Sequence, residues 1–70
     1  MIIKRSITIR GHPTSISLEN PFWDELNKIA KKREVSLASL VAEIDAKRGS
    51  QERYGLSSAV RVFVLNYLKL

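Results

Sequence analysis

The chain has no cysteine, one histidine, two prolines and three glycines in 70 residues. Without cysteine there are no disulfides, and one histidine leaves too few soft ligands for a structural zinc site. No apolar run is long enough to cross a bilayer. The opening residues Met1-Ile2-Ile3-Lys4-Arg5 carry no apolar segment after their charges, so they do not read as a secretion signal. Cytoplasmic residence is the expected default. Acidic residues are the scarcer charge, seven against twelve Lys and Arg, which leaves a net charge of +5 and a pI near 10.0. That balance suits nucleic acid or an anionic membrane. So short a chain makes one domain, residues 1–70, whose thin core is marginal without a partner subunit.

What is present is ordered simply. Residues 4–10, KRSITIR, alternate: Ile3, Arg5, Ile7 and Ile9 share one side, Lys4, Ser6, Thr8 and Arg10 the other. Period two with β-branched residues predicts a strand. Gly11-His12-Pro13 reads as a turn. Alternation then resumes, with Ile16 and Leu18 on one side and Ser15, Ser17 and Glu19 on the other. The strand region 4–19 is either a hairpin or one kinked arm.

A first helix is expected over 21–33, capped by Asn20 with Pro21 at its first position. Phe22, Leu26, Ile29 and Ala30 make its apolar stripe. Asp24 and Glu25 suit the positive end of its dipole, and Asp24 is spaced to pair with Lys28. A second helix is expected over 37–47, capped by Ser36, with Val35 and Leu40 placed as a hydrophobic staple. Leu37, Leu40, Val41 and Ile44 form its stripe. Residues 48–55 read as a polar loop. A third helix is expected over 57–69, entered through Ser57 or Ser58, although the β-branched run 60–64 also suits a strand. Its residues are apolar on nearly every side, Val60 and Phe63 among them, which argues for burial between two chains. Its only charges, Arg61 and Lys69, are too few for a basic membrane-binding face.

The order strand, capped helix, capped helix resembles the ribbon-helix-helix DNA-binding proteins. Leu18, Leu26, Ile29 and Ala30, followed by Val35-Ser36-Leu37 and Leu40-Val41-Ile44, match the family's spacing. The segments GHPTSISLENPFWDEL, SLASLVAEIDAKR and LSSAVRVFVLNYL are similar to a compact bacterial subgroup of predicted ribbon-helix-helix proteins, over nearly the whole chain. The resemblance implies an α+β, mostly helical fold and an intertwined homodimer. One strand from each chain would pair antiparallel and enter the major groove of double-stranded DNA.

It further implies a transcriptional regulator, usually a repressor or autoregulator. Ser15 and Ser17 are the residues it places at base edges, with Arg10, Thr8 and Ser6 of the first strand as further readers. Free backbone N–H groups around Ser36 and Leu37 would hold a phosphate, supported by Lys4, His12, Lys32 and Arg33. Ile16, Leu18, Phe22, Leu26, Ile29, Leu40, Val41, Ile44, Val60 and Phe63 would build the dimer core. The family usually carries Arg, Lys, Asn or Gln on the ribbon, because bidentate groups discriminate bases well. Two serines discriminate weakly, so readers from the first strand or shape-dominated binding would have to compensate.

Each feature also has a plain reading. Ser15 and Ser17 suit the solvated side of any antiparallel strand, and Lys4 and Arg10 suit an edge that resists aggregation. Lys28, Lys31, Lys32 and Arg33 complement a helix dipole, and Trp23 fills core or interface. A serine, His12 and Asp45 are the ingredients of an acyl-transfer site, but nothing in the sequence positions them, so no enzyme, cofactor, metal or small-molecule substrate is expected. The alternative function is a protein-interaction module, an antitoxin-like or adaptor dimer whose third helix holds a protein partner.

Overall fold

A computed structural model describes residues 1–48 and 55–69. Strands β1 (Ile2–Ile9) and β2 (His12–Glu19) form an antiparallel hairpin, followed by helices α1 (Asn20–Lys32), α2 (Leu37–Arg48) and α3 (Leu56–Leu68). The hairpin resolves the choice left open by the sequence: the two strand segments pair with each other within one chain. Its turn is tighter than the Gly11-His12-Pro13 signal suggested. Arg10 and Gly11 alone reverse the chain, with φ of 52° and 79°, and Ile9 pairs directly with His12. Two consecutive positive φ values mark the type I′ turn, whose twist matches that of the strands. His12 and Pro13 are therefore already in β2.

The register pairs Ile3 with Leu18, Arg5 with Ile16 and Ile7 with Thr14 on one face, and Lys4 with Ser17, Ser6 with Ser15 and Thr8 with Pro13 on the other. The first face packs on the helices: Ile9, Ile16 and Leu18 are buried and Ile7 is half-buried against them. α2 packs on β1, and α1 and α3 pack on β2. The helices contribute Leu26, Ile29, Ala30, Leu40, Val41, Ile44, Ala59, Val60 and Val64 to the same core, with Phe22 and Phe63 partly buried at its margin. Every residue expected in an intersubunit core thus packs in or against the core of one chain.

Several local expectations are corrected. Glu19, not Asn20, occupies the N-cap of α1, without a side-chain cap; the Asn20 amide oxygen instead accepts from the Arg5 guanidinium at 3.0 Å. Starting at Asn20 also leaves the first turn of α1 without an acidic residue, and Lys28 pairs with Glu25 at 3.6 Å rather than with Asp24. Helix α3 begins one residue before the expected serines, capped by Gly55. Its run 60–64 is helical, not extended. Of the expected loop, Arg48 ends α2 and Gly55 precedes α3, while 49–54 lie outside the described residues.

The reversal between α1 and α2 is a Schellman motif. The Val35 N–H donates to the Ala30 carbonyl and the Glu34 N–H to the Lys31 carbonyl. Glu34 takes the left-handed position at φ 57°, where glycine is usual. Ser36 caps α2 as expected, its hydroxyl accepting the Ser39 N–H at 3.0 Å. Val35 stays exposed.

Candidate nucleic-acid interface

Alternation along both strands puts Lys4, Ser6, Thr8, Pro13, Ser15 and Ser17 on the hairpin face away from the core. Lys4, Ser6, Thr8 and Ser15 are exposed and Ser17 is half-buried. The face is narrow, polar and nearly free of bulky side chains, with one ammonium group and a row of hydroxyls. Arg10 sits in the turn at the tip, exposed. Five of the residues proposed from sequence as DNA contacts on the strands, namely Lys4, Ser6, Thr8, Ser15 and Ser17, therefore meet on one surface, with Arg10 at its end.

Ser17 owes its partial burial to α3. Its backbone N–H donates to the Ser57 hydroxyl at 2.8 Å, and its carbonyl accepts from Arg61 Nη2 at 3.0 Å. Arg61 Nε also donates to Glu19 Oε1 at 2.9 Å. This hydrogen bond is the main reason that the Glu19 carboxyl titrates below its ordinary value, with its own backbone adding to the effect. Glu19, which would repel phosphate if bare, is thus held in an ion pair at the end of the strand. Sequence reasoning missed Ser57 and Arg61. Their spacing of four along a helix was visible, but not that this face meets a strand edge.

Arg5 was also missed. It lies on the core side of β1, its guanidinium 4.4 Å from the centroid of the Trp23 ring. One nitrogen donates to Asn20, while the buried Nε has no partner among the described residues. Stacking on an aromatic face explains how a cation is tolerated among Ile3, Ile7 and Ile16.

The remaining candidates fall elsewhere. His12 lies on the opposite face of β2 from Ser15 and Ser17. It lines a recess of about 350 Å³ with Arg10, Asp45, Arg48 and Leu56. His12 and Asp45 are thus brought together after all, but the Asp45 carboxylate is engaged by Arg48 at 2.7 Å and no serine among the described residues lines the recess. Arg33 is bound to Glu43 at 3.0 Å, and Lys47 reaches the same carboxylate at 3.3 Å. The two cations hold the Glu43 carboxyl below its ordinary value, Arg33 foremost. Lys32 is exposed and has no ion-pair partner among the described residues. At the start of α2, the N–H groups of Leu37 and Ala38 point out of the first turn and lack intrahelical acceptors.

Among the described residues no cluster of His, Asp and Glu is arranged to hold a metal, and no helix is long and apolar enough to cross a membrane. A family model described as a ribbon-helix-helix domain matches residues 2–68. No curated protein and no solved structure matches significantly.

Proposed function

This chain belongs to the ribbon-helix-helix domain family, a family of DNA-binding regulators, and from that premise we propose that it is a transcriptional repressor or autoregulator acting as a homodimer. The observation that carries the reading is the polar hairpin face, which the cross-strand register assembles from Lys4, Ser6, Thr8, Ser15 and Ser17. Small hydroxyl side chains let a ribbon approach base edges closely, and a two-stranded ribbon is thin enough for the major groove. Arg10 at the tip and Lys4 supply phosphate or base contacts. The α2 N-terminus at Ser36 and Leu37 supplies a backbone phosphate site, with the exposed Lys32 four residues before Ser36 as a supporting cation. Arg33 is a weaker candidate, because Glu43 already neutralises it.

Two-fold symmetry fits a palindromic operator, and the net charge of +5 adds a sequence-independent attraction that falls with salt. The protein works in the cytoplasm on the nucleoid, with no cofactor and no catalytic role. The test is binding to its own upstream DNA across a salt series against random duplex. Preference for the upstream fragment with a steep salt slope is expected. Equal affinity for both duplexes rejects sequence-specific regulation in favour of a backbone-dominated architectural role.

A second reading rests on α3. Val62, Leu65 and Leu68 recur every third residue and stay 43%, 51% and 58% exposed. Such an apolar stripe suits a protein partner. No affinity for either duplex, at any salt concentration, would favour this interaction module over the regulator.

A further inference from the structure

The recess beside the hairpin tip has a size and a charge pattern that DNA binding does not use. It measures about 350 Å³, at the small end of the roughly 300–1,000 Å³ that ligand sites occupy. Three elements border it. Arg10 and His12 come from the hairpin, Asp45 and Arg48 from the last turn of α2, and Leu56 is the first residue of α3.

Arg10 sets the sign of the recess. Helix α2 ends there and α3 begins, so opposite ends of two helix dipoles meet and offset each other. Asp45, the acidic member of the lining, accepts from Arg48 Nε at 3.2 Å and from Nη2 at 2.7 Å. Those two charges also offset each other. Arg10 is exposed, and among the described residues its side chain has no hydrogen-bond or ion-pair partner. A guanidinium beside a neutralised ion pair favours an anion. The His12 imidazole, two residues on, adds a hydrogen-bond donor. Ile9, Pro13 and Leu56 make much of the remaining lining apolar. A bare inorganic ion gains nothing from that surface, whereas an organic acid buries hydrocarbon against it.

The recess also faces away from the surface assigned to the major groove. His12 and Thr14 alternate with Pro13 and Ser15 of the polar face, so they lie on the side that packs on the helices. DNA held against Ser6, Ser15 and Ser17 leaves the recess open. Arg10, in the turn where the two faces meet, borders both.

We propose that this recess binds a small organic acid, with its carboxylate on Arg10 and its hydrocarbon on Ile9, Pro13 and Leu56, and that the acid competes with DNA for Arg10. The competition rests on the regulator proposed above; the site does not. One guanidinium does not serve a ligand carboxylate and a DNA phosphate at once. The acid therefore weakens DNA binding, and by linkage DNA weakens binding of the acid by the same factor.

The test uses the full chain at constant ionic strength. Benzoate is the probe, benzyl alcohol its uncharged match and inorganic phosphate the bare anion. Benzoate should give saturable amide NMR shifts concentrated at Arg10, His12, Thr14, Asp45 and Leu56, and benzyl alcohol should give none. Arg10→Asn suits the positive φ at that position and should weaken benzoate about tenfold or more. Asp45→Asn removes a repelling carboxylate and should tighten benzoate about threefold, a gain that a damaged fold does not produce. Saturating benzoate should weaken duplex binding about threefold or more and lower the salt slope by about one per bound chain. Arg10→Asn should lose that response.

No saturable shift, shifts spread equally over cations such as Lys31 and Lys32, or an Asp45→Asn variant that binds no tighter overturns the site. Phosphate that saturates the same amides as tightly as benzoate overturns the organic-acid assignment. Saturable binding that leaves duplex affinity unchanged overturns the competition and leaves the regulator standing. A chain without duplex affinity even in the absence of benzoate overturns the regulator and the competition together, while the spectra alone decide the site.

Discussion

The two faces of the hairpin come from the same two strands, residue by alternate residue, and differ in nearly everything else. One face carries Ile3, Arg5, Ile7, Ile9, Ile16 and Leu18 and is closed by three helices. The other carries Lys4, Ser6, Thr8, Ser15 and Ser17, of which all but Ser17, half-buried beside α3, are exposed. Burial of apolar surface stabilises the first face. The second contributes little to stability, so its residues are free to serve recognition. A period of two thus lets one short ribbon separate folding from function. Arg5 breaches the separation as a cation on the closed face, where Trp23 and Asn20 accommodate it.

The sharpest way to break this contrast is on the closed face. Leu18 is fully buried, and Leu18→Ala should cost about 2–5 kcal/mol, readable in a urea titration. A marginal domain of this size would be largely unfolded. At the covered edge, Ser57→Ala leaves the part-buried Ser17 N–H without its acceptor and should cost about 1 kcal/mol. A loss near zero would mean that water replaces the hydroxyl.

Arg61→Ala sharpens the same edge through pH. The Glu19 carboxyl is depressed by Arg61, so its contribution to stability is complete above the ordinary carboxylate value. That contribution fades as pH falls through the depressed one. Melting curves of the variant should lose this acid-side slope, while those of the parent keep it.

At the tip, Arg10 holds φ 52°, a position that suits asparagine better. Arg10→Asn should stabilise the hairpin by a few tenths to about 1 kcal/mol while weakening DNA binding. A variant that is both more stable and equally tight on DNA would remove Arg10 from the interface. Smallest of all on stability, Ser6→Ala and Ser15→Ala on the open face should change it by less than about 0.5 kcal/mol. Their effect should appear instead as reduced preference between DNA sites in competition binding.

Much of the fold was legible because its signals are local. Alternation located both strands, apolar periodicity located α1 and α2, and Ser36 was identifiable as a cap because its hydroxyl serves its own helix. The errors have identifiable causes. Asn20 and Ser57 have the chemistry of helix caps, yet each side chain is drawn away by a partner distant in sequence, Asn20 by Arg5 and Ser57 by Ser17. Asp24 and Glu25 are both spaced to reach Lys28, and helix geometry alone does not rank them. His12 was expected in the turn, but the turn closes at Arg10–Gly11, so His12 is already in β2, and with period two its position fixes its face.

By itself the sequence determined the element order, the polar and apolar sides of each strand, and the positive charge that suits DNA, since each depends on neighbours a few residues apart. Only the tertiary structure decided that the two strands pair within one chain and that α3 covers the β2 edge through Ser57 and Arg61. It alone also showed that the β1 edge has no partner among the described residues. Those outcomes depend on hydrogen bonds to backbone groups, some from side chains as many as 44 positions away, and a backbone N–H or C=O leaves no mark in the identity of the residue that carries it.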